Sequence, residues 1–337
     1  MSKIEWTDVT WNPVIGCAKV SAGCGNCYAE RSAHRVASLQ GGGVYLQVLR
    51  TGTDERGYID QVDPRWNGRA VFLPERLGEP LRWRKPCRVF VNSMSDLFHE
   101  DVNFEQIAAV FGVMAATPRH TFQVLTKRPA RMLEFFRFVR GSTPDSTCLH
   151  EASVVLPSTV EYDLLMRSLK DLPPSSSWPL PNVHLGVSVE DQRSADERIP
   201  LLLQCPAALR FLSVEPLLGP VTLLRWTCGE HGRRHIGAPP GIGWVIVGGE
   251  SGPGARPCGV DWIRSVVEQC KGAGVPVFVK QLGARPTFPL HTIEDLPADH
   301  LRMTKRDGRW HLVDMRDRKG ADPSEWPEDL RVQESPR

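Results

Sequence analysis

Residues 121–140 read TFQVLTKRPARMLEFFRFVR, and this stretch carries both periods of a β/α unit. Its first part is β-branched and aromatic, as a buried strand requires, and it ends abruptly in Thr126, Lys127 and Arg128. From Pro129 the apolar residues recur at three- and four-residue steps, the spacing of a helix packed on a sheet. Working outward, five more runs have the strand character and the polar ending: RVFVNSMSD (88–96), NVHLGVSVE (182–190), LRFLSVEP (209–216), GWVIVGGESG (243–252) and VPVFVKQLG (275–283). FEQIAAVFGVMAAT after Asn103 and VDWIRSVVEQCKGAG after Gly259 are helical in pattern, the second stopping at Gly272–Gly274. Six strands alternating with helices predict an α/β chain with a parallel sheet, as in a β/α barrel.

Two segments break the rhythm and are expected as insertions: residues about 141–181, rich in Ser and Pro with one helix near VEYDLLMRSLKDL, and the Gly/His/Arg/Pro loop of about 227–242. The barrel is expected over 1–283. A C-terminal extension, 284–337, carries one short strand, GRWHLV, among proline-rich and charged turns.

Apolar residues are 41% and charged residues 24% of the 337, ordinary for a packed globular chain and unlike a disordered one. The longest apolar runs fall far short of the roughly 20 residues of a membrane helix. MSKIEWTDVTWNP places charges and tryptophans where a secretory signal needs an apolar block, so a cytoplasmic protein without a membrane partner is expected. A net charge of +2 is no nucleic-acid footprint by itself. Nine cysteines in such a compartment are thiols or metal ligands rather than a disulfide framework.

Three of them cluster. TWNPVIGCAKVSAGCGNCYAERSAHR sets Cys17, Cys24 and Cys27 in a Cys-x6-Cys-x2-Cys spacing, in a loop punctuated by Gly16, Gly23 and Gly25. Thiolates are chosen by both iron–sulfur clusters and zinc, and glycines let cysteines converge on one centre. Zinc stays open, with His34 completing three thiolates and an imidazole. A Cys24/Cys27 redox pair stays open too, although it leaves Cys17 without a role.

IEWTDVTWNPVIGCAKVSAGCGNCYAE, with VFVNSMSDLFHEDV, FQVLTKRPARM, LGVSVEDQ, FLSVEPLLGP and VIVGGESGPGARP, resembles the three-cysteine-motif family of phage and bacterial proteins related to radical S-adenosylmethionine enzymes. The resemblance covers most of 3–283 and the WPEDLRVQE tail. It implies a partial barrel of the radical S-adenosylmethionine type and a 4Fe-4S cluster on Cys17, Cys24 and Cys27. The iron left open by three cysteines would bind S-adenosyl-L-methionine, with Tyr28 beside the last cysteine. The first gap here is six residues where three is usual in radical enzymes. Gly248-Gly249-Glu250 resembles the segment with which such enzymes contact the amino group of the cofactor, though it lies later in the chain than usual.

In a β/α barrel the C-terminal ends of the strands line the active-site mouth, which is where this sequence keeps its polar residues. Asp96, Lys127, Glu190, Glu215 and Lys280 are the candidate catalytic side chains, and Ser188 joins Gly248, Gly249 and Glu250 as candidate cofactor contacts. Lys127 and Arg128 suit a carboxylate or a phosphate, or simply a solvated face. Cys228, His231 and His235 have ligand-like spacing in a basic loop. Arg65, Trp66, Arg82, Trp83, Arg84 and Lys85 either stack on bases or cover a barrel edge.

The expected chemistry is reduction of the cluster by a flavodoxin- or ferredoxin-type donor, cleavage of S-adenosylmethionine, and hydrogen abstraction by a 5′-deoxyadenosyl radical. The resemblance to phage proteins points to DNA as substrate, with isomerisation of an amino-acid adduct on thymidine, and to a dedicated partner protein. A photoproduct-lyase-like repair enzyme is the enzymatic alternative. A zinc-stabilised nucleic-acid- or partner-binding protein without catalysis is the alternative from another class.

Overall fold

The computed structural model describes residues 4–39, 43–56, 58–139, 147–170, 178–227, 241–289, 302–307 and 310–336. Seven strands share the principal sheet: β1 (Val9–Trp11), β2 (Arg88–Val91), β3 (Thr121–Thr126), β4 (Val183–Ser188), β5 (Leu209–Val214), β6 (Trp244–Gly248) and β7 (Val277–Gln281). Their order in the sheet is their order in the chain, β1 to β7, and the pairs β1/β2, β2/β3, β5/β6 and β6/β7 are parallel. That is the strand order of an unclosed β/α barrel in a mixed α/β chain. The six expected strands are all present; the seventh, Val9–Trp11, is too short and too polar in its surroundings to show a period of its own. By internal contacts the chain divides into two compact units, 1–185 with 204–208, and 186–203 with 209–337.

In the first unit, α1 (Tyr28–Leu39), α2 (Phe104–Ala115), α3 (Pro129–Phe138), α4 (Cys148–Val155) and α5 (Thr159–Lys170) accompany the sheet. Asn103 caps α2 in a reciprocal box with Gln106, which satisfies two of the backbone N–H groups at the helix start. Every residue from Ile107 to Ala115 is buried, because α4 packs against α2. Gly112 makes that approach possible: a Cβ there would lie 2.1 Å from the Cys148 carbonyl oxygen. The expected insertion therefore supplies core, with Cys148, Leu149 and Ala152 buried.

The sequence showed no hairpin between α1 and β2, yet Leu49–Thr53 pairs antiparallel with Ile59–Trp66. The hairpin packs its Leu49 and Trp66 with Ala29, Ala33 and Ala37 of α1 in a small apolar cluster against which Cys17 and Cys27 rest. Trp66 is thus core rather than a stacking platform, and the Trp83 ring meets His120 edge-on.

In the second unit, α6 (Gln192–Leu203) and α7 (Val260–Ala273) follow β4 and β6. Gly274, at φ +65°, ends α7 in the left-handed conformation that the expected glycine stop supplies. The extension forms more than one strand: Pro286–Pro289 pairs parallel with Cys258–Gly259 and antiparallel with Trp310–Asp314, which pairs in turn with Arg302–Asp307. Residues 332–334 then run along β7, with Val279 N–H donating to Val332 O at 2.8 Å and Glu334 N–H to Val277 O at 3.0 Å. This covers an edge strand that would otherwise offer its backbone to another chain.

Among the described residues no helix is long and apolar enough to cross a membrane.

Three histidines are held neutral by burial. His99, His120 and His184 all have pKa values below the ordinary imidazole value, desolvation being the chief cause, and His184 is brought down to about 4. The unfolded chain takes up protons below about pH 6.5 and the folded chain does not, so stability is full above that pH and falls as pH drops toward 4. His184 alone contributes on the order of 2 kcal/mol across that window after allowance for partial exposure. Urea midpoints at about pH 7 and pH 5 should differ in that direction, and the difference should shrink in His184→Asn. An unchanged difference in the variant refutes the assignment.

Candidate functional site

In the first unit the three cysteines hang from the C-terminal ends of β1 and β2. Asn92, immediately after β2, is buried at φ +59°; its N–H donates to Trp11 O at 2.7 Å and its Oδ1 accepts from Val14 N at 3.3 Å. From the β1 side, Asn12 Oδ1 accepts from Met94 N–H at 2.9 Å and Ser93 Oγ at 3.1 Å. Ser95 Oγ donates to Val14 O at 2.8 Å and Gly16 N–H to Met94 O at 3.1 Å. The turn 92–96 is thereby zipped to residues 12–16, and Cys17 follows at once. A non-glycine residue at positive φ is costly and persists only where its surroundings over-determine it, as these bonds do here.

Cys24 ends a short 3-10 turn, Ala22–Cys24, and Cys27 precedes α1. Burial pushes the Cys27 thiol up, while the N–H groups of Glu30 and Ala29 at the helix start pull the other way. Burial pushes the Cys17 thiol up to about 12; the Asp96 carboxylate adds to the rise and the Arg128 guanidinium opposes it. Cys24 acts electrostatically on both of the others. Each of the three thiols is partly exposed and free of disulfides. Among the described residues no three or more His, Cys, Asp or Glu side chains are gathered so as to hold a metal ion. His34 looks away from the zinc role the sequence left open, its Nε2 lying 3.1 Å from Val62 O in the hairpin.

β3 reaches the same loop through Arg128. Its Nη1 lies 3.8 Å from Cys17 Sγ and its Nη2 donates to Ala18 O at 3.3 Å. Asp96, 6% exposed, holds that guanidinium at 3.7 Å and also accepts from Thr126 Oγ1 at 2.7 Å, Lys127 N–H at 3.0 Å and Phe98 N–H at 3.0 Å. Asp96 is therefore a buried anchor that orients Arg128, and Lys127 meets it through its backbone. Tyr28 is half exposed, its hydroxyl donating to Ser93 O at 2.8 Å. Lys19 closes the far side of the loop on Gly25 O at 3.3 Å and on buried Glu30 at 3.2 Å.

In the second unit the expected residues again fall at strand ends. Glu190 is buried and paired with Arg198 at 3.1 Å, and Arg198 also donates to Ser188 O at 2.9 Å. Glu215 accepts from Lys280 Nζ at 3.0 Å and Gln281 Nε2 at 3.1 Å. Gln281 also donates to Gly249 O at 2.9 Å. A Cβ on Gly249 would lie 2.3 Å from Leu282 O, and one on Gly248 would lie 2.9 Å from Gln281 O, so close strand packing already requires both glycines. Glu250 accepts from the Arg256 guanidinium at 2.6 Å and from its backbone N–H at 2.9 Å. A cofactor ammonium would meet that carboxylate already bound to a cation.

Sequence reasoning missed Asn92 as an anchor and Arg128, Arg198, Arg256 and Gln281 as partners. An arginine at a strand end was visible at 128; that it reaches a cysteine 111 positions earlier was not. The loop carrying Cys228, His231 and His235 lies outside the described residues.

No curated protein and no solved structure matches the chain. A family model described as a protein of unknown function (DUF5131) matches residues 1–317. The chain, with its three-thiol loop on a parallel β/α sheet, belongs to that family.

Proposed function

We propose that this chain is an iron–sulfur enzyme of the radical S-adenosylmethionine type that acts on a modified thymidine in DNA, isomerising an amino-acid adduct. The observation that carries the reading is three thiols on one short loop tied to the ends of β1 and β2, with the β3-end guanidinium of Arg128 3.8 Å from Cys17 Sγ.

The donor set fits a cluster. Cysteine thiolates are the ligands iron–sulfur centres take, and three of them within eleven residues of one glycine-punctuated loop would leave one iron of a four-iron cluster open. Cys17 and Cys27, whose pKa values burial raises, would give up their protons on binding a metal centre, and the Arg128 guanidinium favours the thiolate at Cys17. When bound, the cluster and S-adenosylmethionine supply one electron and a 5′-deoxyadenosyl radical.

The chain's own residues do the rest. Arg128 and Asp96 fix the loop, the N–H groups at the start of α1 offset negative charge on Cys27, and the apolar cluster behind Cys17 and Cys27 keeps water from that side. In the second unit, Lys280 and Glu215 offer a donor and an acceptor side by side at strand ends, suited to a polar substrate group. A flavodoxin- or ferredoxin-type donor and DNA are the partners this reading requires.

Purification without oxygen and reconstitution with iron and sulfide should yield a cluster of about four irons whose absorption shifts on adding S-adenosylmethionine. Cys24→Ala should lose the cluster while its far-ultraviolet circular dichroism stays unchanged. Tight zinc, no iron and no response to the cofactor would sink the reading.

A further inference from the structure

Gln123 lies in the middle of β3, 2% exposed, and its Oε1 has no hydrogen-bond partner. His184 on β4 is its neighbour. Phe122 N–H donates to Asn182 O at 2.8 Å, a parallel register that sets Gln123 level with His184, and the buried Nδ1 of His184 also lacks a partner. Phe90 of β2 is the register partner of Gln123 on its other side. Laterally paired residues share a sheet face, so Phe90, Gln123 and His184 form one row. The opposite face carries Val89, Phe122 and Val124, all buried.

Two neighbouring residues that each leave a buried polar atom unmade are uncommon, because each such atom loses its water and gains nothing in return. An apolar pair of similar size would fill the same space at less cost. Their chemistry is complementary: an amide oxygen accepts, and a ring nitrogen in its protonated tautomer donates. Burial keeps the His184 ring neutral, so the row carries no charge and suits an uncharged ligand. It lies about 10 Å along β3 from the strand end that bears Thr126.

We propose that Gln123 and His184 recognise the uncharged imide edge of a pyrimidine base, Gln123 Oε1 accepting from the ring N–H and His184 Nδ1–H donating to the adjoining carbonyl. The assignment rests on the reading of the chain as acting on thymidine and names the residues that would select that base. Cytosine presents an acceptor where thymine presents its N–H, and so sets a lone pair against Gln123 Oε1.

The test uses the purified full chain and has two arms. In urea unfolding, Gln123→Met should fold at least as favourably as the parent, with a folding constant raised severalfold, because an unmade acceptor is replaced by a methyl thioether. In equilibrium binding, thymidine should bind the parent at least tenfold more tightly than deoxycytidine does, and Gln123→Met should lose at least tenfold in thymidine affinity. A tenfold loss of folding constant in Gln123→Met, thymidine affinity equal in parent and variant, or no thymidine binding to the parent overturns the proposal. Iron content of the same preparations separates the two ideas: iron present without thymidine discrimination defeats this site alone, and thymidine discrimination without iron defeats the cluster reading alone.

Discussion

Asp96→Ala should lower the unfolding free energy by about 3–5 kcal/mol, the cost of stripping the partner from a buried cation. The carboxylate is 8% exposed and the Arg128 side chain 13%, so little solvent can replace what is lost. One oxygen accepts from Phe98 N–H and Thr126 Oγ1, and the other from Lys127 N–H while facing Arg128. Thr126 Oγ1 in turn accepts from Arg128 N–H at 2.8 Å, so removing one carboxylate loosens the whole end of β3. Asp96→Asn should fall between parent and alanine, since neither amide orientation avoids setting an NH2 against a donor. Urea midpoints of the three proteins check the order. Iron uptake should decline in the same order if Arg128 is what holds Cys17 in place. Equal stability of Asp96→Ala and the parent would show that the carboxylate anchors nothing.

Gly16→Ala should cost about 2–4 kcal/mol, from a left-handed backbone and an overpacked contact together. Gly16 sits at φ +81°, and a Cβ there would lie 2.4 Å from Arg69 O and 2.6 Å from a Val48 methyl. Backbone cannot yield as a flexible side chain does, and the displacement would fall on Cys17, the next residue. Gly68 is the internal control: its φ is +93°, but a Cβ would meet nothing within 4 Å. Gly68→Ala should show only the dihedral cost, about 1 kcal/mol, with unchanged iron uptake. Val48→Ala on top of Gly16→Ala should restore part of the loss, because it removes the methyl contact and leaves the carbonyl and the residue 48 Cβ, 2.7 Å away. Thermal melts and iron content of the three variants and the parent measure both effects. If Gly16→Ala and Gly68→Ala prove equivalent, close packing behind the cysteine loop has been overstated.

Six of the seven parallel strands were legible because a strand buried on both faces must be written as a short apolar run, and its polar end must fall where the sheet meets solvent. The strand β1 was not, since three residues cannot display a period. The hairpin 49–66 was hidden for another reason. Its Leu49 and Trp66 are buried against α1, but Arg50, Asp54, Glu55 and Arg56 between them read as loop. The insertion at about 141–181 looked peripheral because it is rich in Ser and Pro; the burial of Cys148, Leu149 and Ala152 and the close contact at Gly112 reveal that α4 closes the core over α2.

By itself the sequence determined the parallel β/α order, the clustering of Cys17, Cys24 and Cys27, and the rule that polar side chains gather at strand ends. These are local properties, set by residue type and spacing over a few positions. The tertiary structure alone decided which side chains are already engaged. Asp96 is bound to Arg128, Glu190 to Arg198 and Glu250 to Arg256, while Gln123 and His184 each keep one buried atom unmade. An ion pair or hydrogen bond depends on distance and angle between groups that lie far apart in the chain for Asp96 and Arg128, and a turn of helix or more apart even for Glu190 and Arg198. No spacing rule encodes that geometry, so the division of polar residues between anchors and open sites is fixed only when the strands are laid side by side.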